Sequence, residues 1–382
     1  MEPSRAIIAR EPLQPGVVNW SLEEVEVNAP KDDEVLVEMY AAGICHTDIL
    51  LSTVPAGALD IKYPKVVGHE GAGIARAVGT NVKSVAVGDP ILLSFYYCSS
   101  CMQCEASHPA YCDSFTSKNY VGQQGSMKIN AGDEDLWSQF FGQSSFAQYS
   151  VVKKSSVLNA KSLIRDLSEL KLFAPLGCGL QTGMGTIMNI AQAGPTDVVL
   201  ISGMGAVGMG ALMYEKTAKI MKCKAIIAVD RIESRLQLAE ELGATHTINT
   251  SDTSYSTLND AVRSLIPTGT SIAIDTTGIP SIIEQGIQST HARGKIVLIG
   301  VPPRDYTLGI NAVEHIGTGR AILGCIEGDC DPRVAIPQMI QWYREGIFPI
   351  DQFVQYFDAA DYAKALDSMK DGNAIKPVLI WK

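Results

Sequence analysis

The sequence predicts an α/β chain with a β-rich N-terminal part and a doubly wound parallel sheet, and three observations carry that reading. Over the first 150 residues, apolar runs such as "EVLVEMYAAG", "GAGIARAVG", "VAVGDPILLSF" and "FAQYSVV" are separated by Gly and Pro, the punctuation of short strands. From about residue 180 the rhythm changes to buried-type strands, "DVVLISG", "KAIIAVD", "SIAIDTTG" and "GKIVLIGVPP". Helical patterns such as "AVGMGALMYEKTAKIM" lie between them, the alternation that builds a parallel sheet with helices on both faces. After about residue 322 the alternation stops. Residues 113 to 138 are polar and irregular, which predicts a long surface loop.

Composition narrows the function classes. A chain of 382 residues can bury two substantial cores, and 46% hydrophobic against 19% charged residues suits a soluble globular protein. The start, "MEPSRAIIAREPLQPG", has no apolar core of a secretory signal, and no apolar run is long enough to cross a bilayer. A cytoplasmic location is therefore expected, where thiols stay reduced. Net charge is −10, from 31 basic and 41 acidic side chains, with no Lys/Arg cluster. Such a chain repels phosphate backbones, so nucleic acid and anionic membranes are excluded as expected partners.

"DVVLISGMGAVGMGAL" places Gly203, Gly205 and Gly208 in G-x-G-x-x-G spacing, with Ala206 and Val207 between them. A strand ends just before the motif and a helix begins inside it, the context of a Rossmann dinucleotide site. Glycines let the backbone approach a pyrophosphate at the helix N-terminus. Asp230 closes the next strand, where it can accept hydrogen bonds from ribose hydroxyls and repel a 2′-phosphate, favouring NAD over NADP. Arg231 follows at once and could accommodate that phosphate in part; Arg235 is a further cofactor-side candidate.

Cysteines raise the next question. "CSSCMQCEASHPAYC" holds Cys98, Cys101, Cys104 and Cys112, and the other five of the nine are scattered. Reduced surroundings make disulfides the weaker reading and leave a metal cage, a redox cluster or unpaired thiols. Three more pieces carry donors: "GICHTD" with Cys45, His46, Thr47 and Asp48, "GHEGAG" with His69 and Glu70, and "PLGCGLQTG" with Cys178. Each alone reads more readily as a core cysteine or a structural histidine than as a ligand. The glycines around all three imply backbones packed closely about one point. Two thiolates and one imidazole would then make a three-ligand zinc site with an open fourth position. Such a site is neutral in charge, and so suits an alkoxide.

In order along the chain, "CHTD", "GHEGAG", "GCGLQTG", "GMGAVG", "AVD" and "IGVPP" resemble the zinc-dependent medium-chain alcohol dehydrogenase family over essentially the whole length. "GCGLQTGMG" is most similar to the branch acting on benzylic and other aryl alcohols. The resemblance implies a GroES-like catalytic domain over 1–179, a Rossmann domain over 180–321 and a return segment over 322–382, with the active site in the cleft between domains. It implies that Cys45, His69 and Cys178 hold a catalytic zinc, with Glu70 behind it as a transient ligand and Asp48 orienting His69. Cys98, Cys101, Cys104 and Cys112, at C-x2-C-x2-C-x7-C spacing, would hold a second, structural zinc in a lobe at about 95–113. Thr47 would bond the substrate oxygen and begin the proton exit. His46 and Lys376 would bring positive charge near the pyrophosphate, and Thr182 and Val301 would sit at the nicotinamide. The expected partners are a small alcohol or aldehyde and a second copy of the chain in a homodimer, with a tetramer as the alternative.

The chain also departs from the family. Many members carry a histidine five positions after the first ligand cysteine; here that position is Leu50, which cannot pass a proton. Thr47 is then left to hand its proton through the cofactor ribose to water, or to His46. In "LLSFYYC", Ser94 stands where a bulky aromatic wall is common, leaving room for a ring, with Phe140, Phe141 and Trp137 as candidate pocket walls or ordinary core. Two other readings stay open: a carbonyl or C=C reductase using NAD(P)H, and a non-catalytic cofactor-binding protein.

Overall fold

The computed structural model describes residues 2–129, 136–216 and 223–382. Part of the expected loop at 113–138 and the far end of the expected helix at 206–221 lie outside the described residues. The chain divides into two units, Met1–Cys178 with Asp331–Ile340 and Ile350–Lys382, and Gly179–Cys330 with Gln341–Pro349.

Among the described residues the first unit is built on two sheets. Six strands run in the order Val354–Asp358, Lys376–Ile380, Glu34–Gly43, Gly71–Val78, Pro90–Leu93, Val157–Asn159, and Tyr149–Lys153 pairs with Glu34–Gly43 as a seventh. A smaller sheet runs Lys65–Val66, Glu2–Arg10, Asn19–Val27, Met127–Ile129. Strand period explains the core: Val35, Val37 and Met39 alternate inward and meet Ala75, Ile91, Leu93 and Val152. The 113–138 stretch is not all loop. Ser117–Val121 makes a helical turn, and Met127–Ile129 pairs with Asn19–Val27, its apolar ends buried around exposed Lys128. Three residues are too few for alternation to stand out in the sequence.

The second unit carries six parallel strands, ordered His246–Asn249, Ala225–Asp230, Val198–Ser202, Thr270–Asp275, Thr290–Leu298, Ala321–Gly324. Numbered by sequence this is 3-2-1-4-5-6, so the order reverses beside Val198–Ser202, where ligands of such sheets bind. Leu200, Ile227, Val229, Ala273 and Ile296 fill its core as near-continuous apolar strands must. The boundary expected at 321/322 falls inside the last strand. Ala321–Gly324 pairs along Lys295 to Leu298, and this unit continues to Cys330. Four residues with no strongly apolar helix after them did not extend the strand–helix rhythm.

The glycine-rich turn opens as Val198–Ser202 ends. Gly203 has φ +94°, and a Cβ at Gly208 would lie 1.9 Å from the Gly203 carbonyl oxygen, so helix Ala206–Lys216 packs directly on the turn. Gly208→Ala should therefore cost about 1–3 kcal/mol of stability by overpacking. Denaturant unfolding measures it, and a neutral result would mean that the turn gives way easily.

Candidate active site

One short helix organises the candidate metal-ligating side chains. Cys45 ends the extended backbone after strand Glu34–Gly43 and caps helix His46–Ser52. Asp48, at the third position of that helix, accepts the Cys45 N–H at 3.0 Å, the reciprocal half of a capping box. Its Oδ1 accepts the Gly68 N–H at 2.9 Å and lies 2.8 Å from Nδ1 of His69, with both side chains fully buried. Nδ1 is thus committed to Asp48. Nε2 is buried and has no hydrogen-bond partner among the described residues. A buried lone nitrogen costs stability unless something meets it.

What stands around Nε2 is a donor set. One ligand atom from each of Cys45, His69, Glu70 and Cys178 lies within 4.8 Å of the others. Glycines permit this convergence: a Cβ on Gly43 would fall 2.1 Å from the Glu70 carboxylate, and one on Gly177 would fall 2.0 Å from the Leu93 carbonyl. Hydrogen bonding from Cys178, helped by the charge of His69, holds the Cys45 thiol well below its usual range, against burial. Burial opposes protonation of His69, but the charge and hydrogen bond of Asp48 win and raise it well above the ordinary imidazole value. A metal at this point would replace a proton on Nε2. Two sulfurs, one committed imidazole and an orphaned nitrogen fit zinc, and the three-ligand set leaves a fourth position for an oxygen.

Glu70 and Lys376 form a second buried unit. Lys376 Nζ lies 2.9 Å from each Glu70 oxygen and 3.2 Å from the Ile44 carbonyl. Burial raises the Glu70 carboxyl despite that cation, and the Glu70 charge raises Lys376 despite burial. Lys376 was expected near a pyrophosphate; what the structure shows is its contact with Glu70. Its ammonium is withdrawn from solvent and neutralises the acid at the ligand cluster.

The four-cysteine lobe has its own geometry. Sulfurs of Cys98 and Cys104 are 3.9 Å apart, and those of Cys101 and Cys112 are 4.0 Å apart, with none in a disulfide. Zinc–sulfur bonds of about 2.3 Å at tetrahedral angles separate sulfurs by roughly 3.8 Å, so the lobe fits a closed zinc site of four thiolates. Backbone N–H groups point at the sulfurs: Ser100 donates to Cys98, lowering that thiol to about 6, while burial pushes Cys104 up to about 12.

In the other unit, the turn at Gly203–Gly208 leaves its outer side open. A Cβ on Gly205 would meet nothing within 4 Å, which is the approach a pyrophosphate needs. Asp230 accepts N–H groups from Met204 at 2.7 Å, Arg231 at 2.7 Å and Ile232 at 3.0 Å, and Arg235 lies 4.0 Å from its Oδ2. A carboxylate takes roughly four donors, so acceptor capacity remains for a ribose hydroxyl. Ala206 and Val207 open the helix, Thr182 is buried, and Val301 is exposed.

Elsewhere the structure places expected residues in supporting contacts. Ser94 donates to the Gly177 carbonyl at 2.6 Å and steadies the approach to Cys178. Phe141 stacks on the His69 ring at 4.4 Å and Phe140 meets it edge-on at 5.7 Å; both are buried. Trp137 is half-buried and its carbonyl accepts the Val66 N–H. Thr47 Oγ1 lies 3.9 Å from the Cys45 sulfur, while His46 and Leu50 are both exposed. Sequence reasoning passed over Gln143, whose amide bonds the His69 and Ser94 carbonyls and the Gly71 N–H, clipping two strands together. A lone polar residue in "FFGQSSF" gives no such signal. It also passed over Lys65, whose position in apolar "YPKVVG" was the available clue.

Comparison with known proteins agrees with this geometry. Residues 31–162 match the model of the alcohol dehydrogenase GroES-like domain, and residues 206–345 match that of the zinc-binding dehydrogenases. A geraniol dehydrogenase of Castellaniella defragrans is 33% identical over 364 residues, 94% of each chain. The crystal structure of an alcohol dehydrogenase zinc-binding domain protein from Burkholderia ambifaria is 36% identical with TM-score 0.89, over 99% of both chains. That of benzyl alcohol dehydrogenase from Acinetobacter calcoaceticus is 33% identical with TM-score 0.87, over 100% of this chain and 99% of the other.

Removing one member of the Glu70–Lys376 pair strands the other in a dry interior. Lys376→Met should cost about 3–5 kcal/mol in denaturant unfolding. Adding Glu70→Gln should recover most of that loss, and a double variant no better than the single would mean that the pair is not what the interior requires.

Proposed function

The chain belongs to the zinc-dependent medium-chain alcohol dehydrogenase family, and we propose that it moves hydride reversibly between NAD and an alcohol activated by a neighbouring aryl or allylic group, giving the aldehyde or ketone. The observation that carries this reading is the buried, unpartnered Nε2 of His69 among the sulfurs of Cys45 and Cys178. The names of two relatives support the substrate class: benzyl alcohol and geraniol both carry the hydroxyl on a carbon next to a π system.

Cys45, His69 and Cys178 would hold the catalytic zinc, and Cys98, Cys101, Cys104 and Cys112 the structural one, two per chain. Bound at the first site, zinc supplies a Lewis acid that brings the pKa of an alcohol hydroxyl towards neutrality. Asp48 keeps His69 in one tautomer and orientation, so the site does not reorganise during turnover. Thr47 would take the hydroxyl proton while handing its own on to the exposed His46 or to water, since the exposed Leu50 can carry none. Phe140 and Phe141 keep water off the imidazole. Lys376 holds Glu70 neutralised, so no second anion competes with an alkoxide. The open turn at Gly205 would take the pyrophosphate of NAD. Asp230 would take its ribose, with a charge that disfavours the 2′-phosphate of NADP.

The second unit also offers a surface for a homodimer. Ala321–Gly324 is the edge strand of its sheet, and Val313 and Ile316 on helix Ala312–Thr318 are over 80% exposed. No helix among the described residues is long and apolar enough to cross a membrane.

Metal quantification should find two zinc ions per chain, and Cys178→Ser should leave one while lowering NAD-linked oxidation of benzyl alcohol at least about 100-fold. Full turnover in that variant, or activity without metal, would overturn the reading in favour of a zinc-free reductase. Light scattering should give twice the 41.0 kDa chain mass; a monomer would remove the dimer from the proposal.

A further inference from the structure

Lys65 is among the most deeply buried large side chains of the protein, 2% exposed, and it makes no ion pair among the described residues. Its Nζ donates to the Leu51 carbonyl at 2.7 Å, at the C-terminal end of the helix that carries Asp48. The rings of Tyr63 and Phe140 stand 5.3 and 5.4 Å from it, cation–π distances on two sides. Phe140 is also the ring that meets His69 edge-on. The Asp48 carboxylate acts on Lys65 through space. The Lys65 ammonium thus sits on the last turn of the helix that carries Asp48, in reach of the Phe140 ring that also meets the imidazole. Strand Glu2–Arg10 pairs with it only through the backbone of Ala9. The titratable groups facing it are Asp48 and Tyr63, and Tyr63 in turn feels Glu11.

We propose that Lys65 is a positioning residue of the catalytic metal site, whose ammonium charge sets how strongly Asp48 draws on the Nδ1 proton of His69. The proposal rests on the zinc reading above. When Lys65 is charged it stabilises the Asp48 carboxylate. That makes the carboxylate a weaker acceptor, keeps the proton on Nδ1 and makes Nε2 the poorer donor. A more poorly donated metal is the stronger Lewis acid. When Lys65 is neutral, Asp48 pulls harder, Nε2 donates more and the bound alcohol is less acidic. Burial pushes the Lys65 amine down to about 7, against the charge of Asp48, so the change falls in a working pH range.

The sign is testable with two variants that fix the two states. Lys65→Arg keeps the charge at every pH and Lys65→Met removes it. The rise of kcat/KM with pH for benzyl alcohol should come about one pH unit lower in Lys65→Arg than in Lys65→Met, the order of effect of one buried charge acting through space. The wild-type profile should carry an extra inflection near 7 that both variants lose. Coinciding profiles for the two variants would show Lys65 to be a packing residue and overturn the proposal.

A measurement that needs neither turnover nor the large arginine separates this failure from failure of the zinc reading. In protein labelled with ¹³C-lysine, the Lys65 resonance, identified by its loss in Lys65→Met, should titrate near 7. Asp48→Asn should lower that midpoint, because coupling between two groups is reciprocal. A midpoint unmoved by Asp48→Asn overturns the proposal, even where zinc is bound and alcohol oxidised.

Discussion

The catalytic half of the structure depends on the carboxylate of Asp48. That one group closes the capping box on Cys45, accepts the Gly68 N–H and orients His69. These three hydrogen bonds tie the first ligand to the second across twenty-odd residues of chain, and they are made in full burial, where charge-assisted bonds are strong and unmet acceptors expensive. The helix start, the strand entry and the imidazole therefore cannot move independently. Phe141 stacked on the ring and Gln143 bonded to the His69 carbonyl remove the freedom that remains. A metal site so held needs little from the metal to define its geometry.

How much of this the sequence discloses follows from what makes a signal local. The fold class was legible because strand alternation and the glycine-rich turn are short-range patterns, and the relatives and the 3-2-1-4-5-6 sheet bear the fold out. The donor residues could be found because each sits in a glycine-rich stretch, and those glycines are where another backbone or side chain comes too close for a Cβ. The Lys376 pairing was not legible because its partner, Glu70, is 306 residues away and nothing near "AIKP" announces an ion pair. Ser94 and Phe140 could not be assigned from composition, since a small or aromatic residue reads alike whether it faces a ligand or braces one. The boundary near 322 slipped for the opposite reason: a four-residue edge strand carries too little pattern to be counted.

The two cysteine clusters divide by their surroundings rather than by their chemistry. In the lobe three of the four cysteines are partly exposed, and the polypeptide from the first cysteine to the last is fifteen residues long. Metal there closes a small loop that lacks a core of its own. The other cluster gathers donors from residues 45 to 178 within a packed interior, so the fold exists to bring them together. A closed sphere of four sulfurs offers no place for a reactant. Three ligands with a neutralised acid behind them do.

Among the described residues, buried charge inside the first unit is held in contact pairs, and Lys65 departs from that. Glu70 has Lys376, His69 has Asp48, and Glu34 has Lys153, each within 2.9 Å. Direct contact fixes both members of a pair in one protonation state over a wide range, because neutralising either strands the other. Lys65 has carbonyl and aromatic neighbours and a carboxylate acting only at a distance. Its charge is therefore the easiest in the interior to lose. Among the described residues, this less firmly held charge acts through space on the carboxylate on which both Cys45 and the imidazole rely.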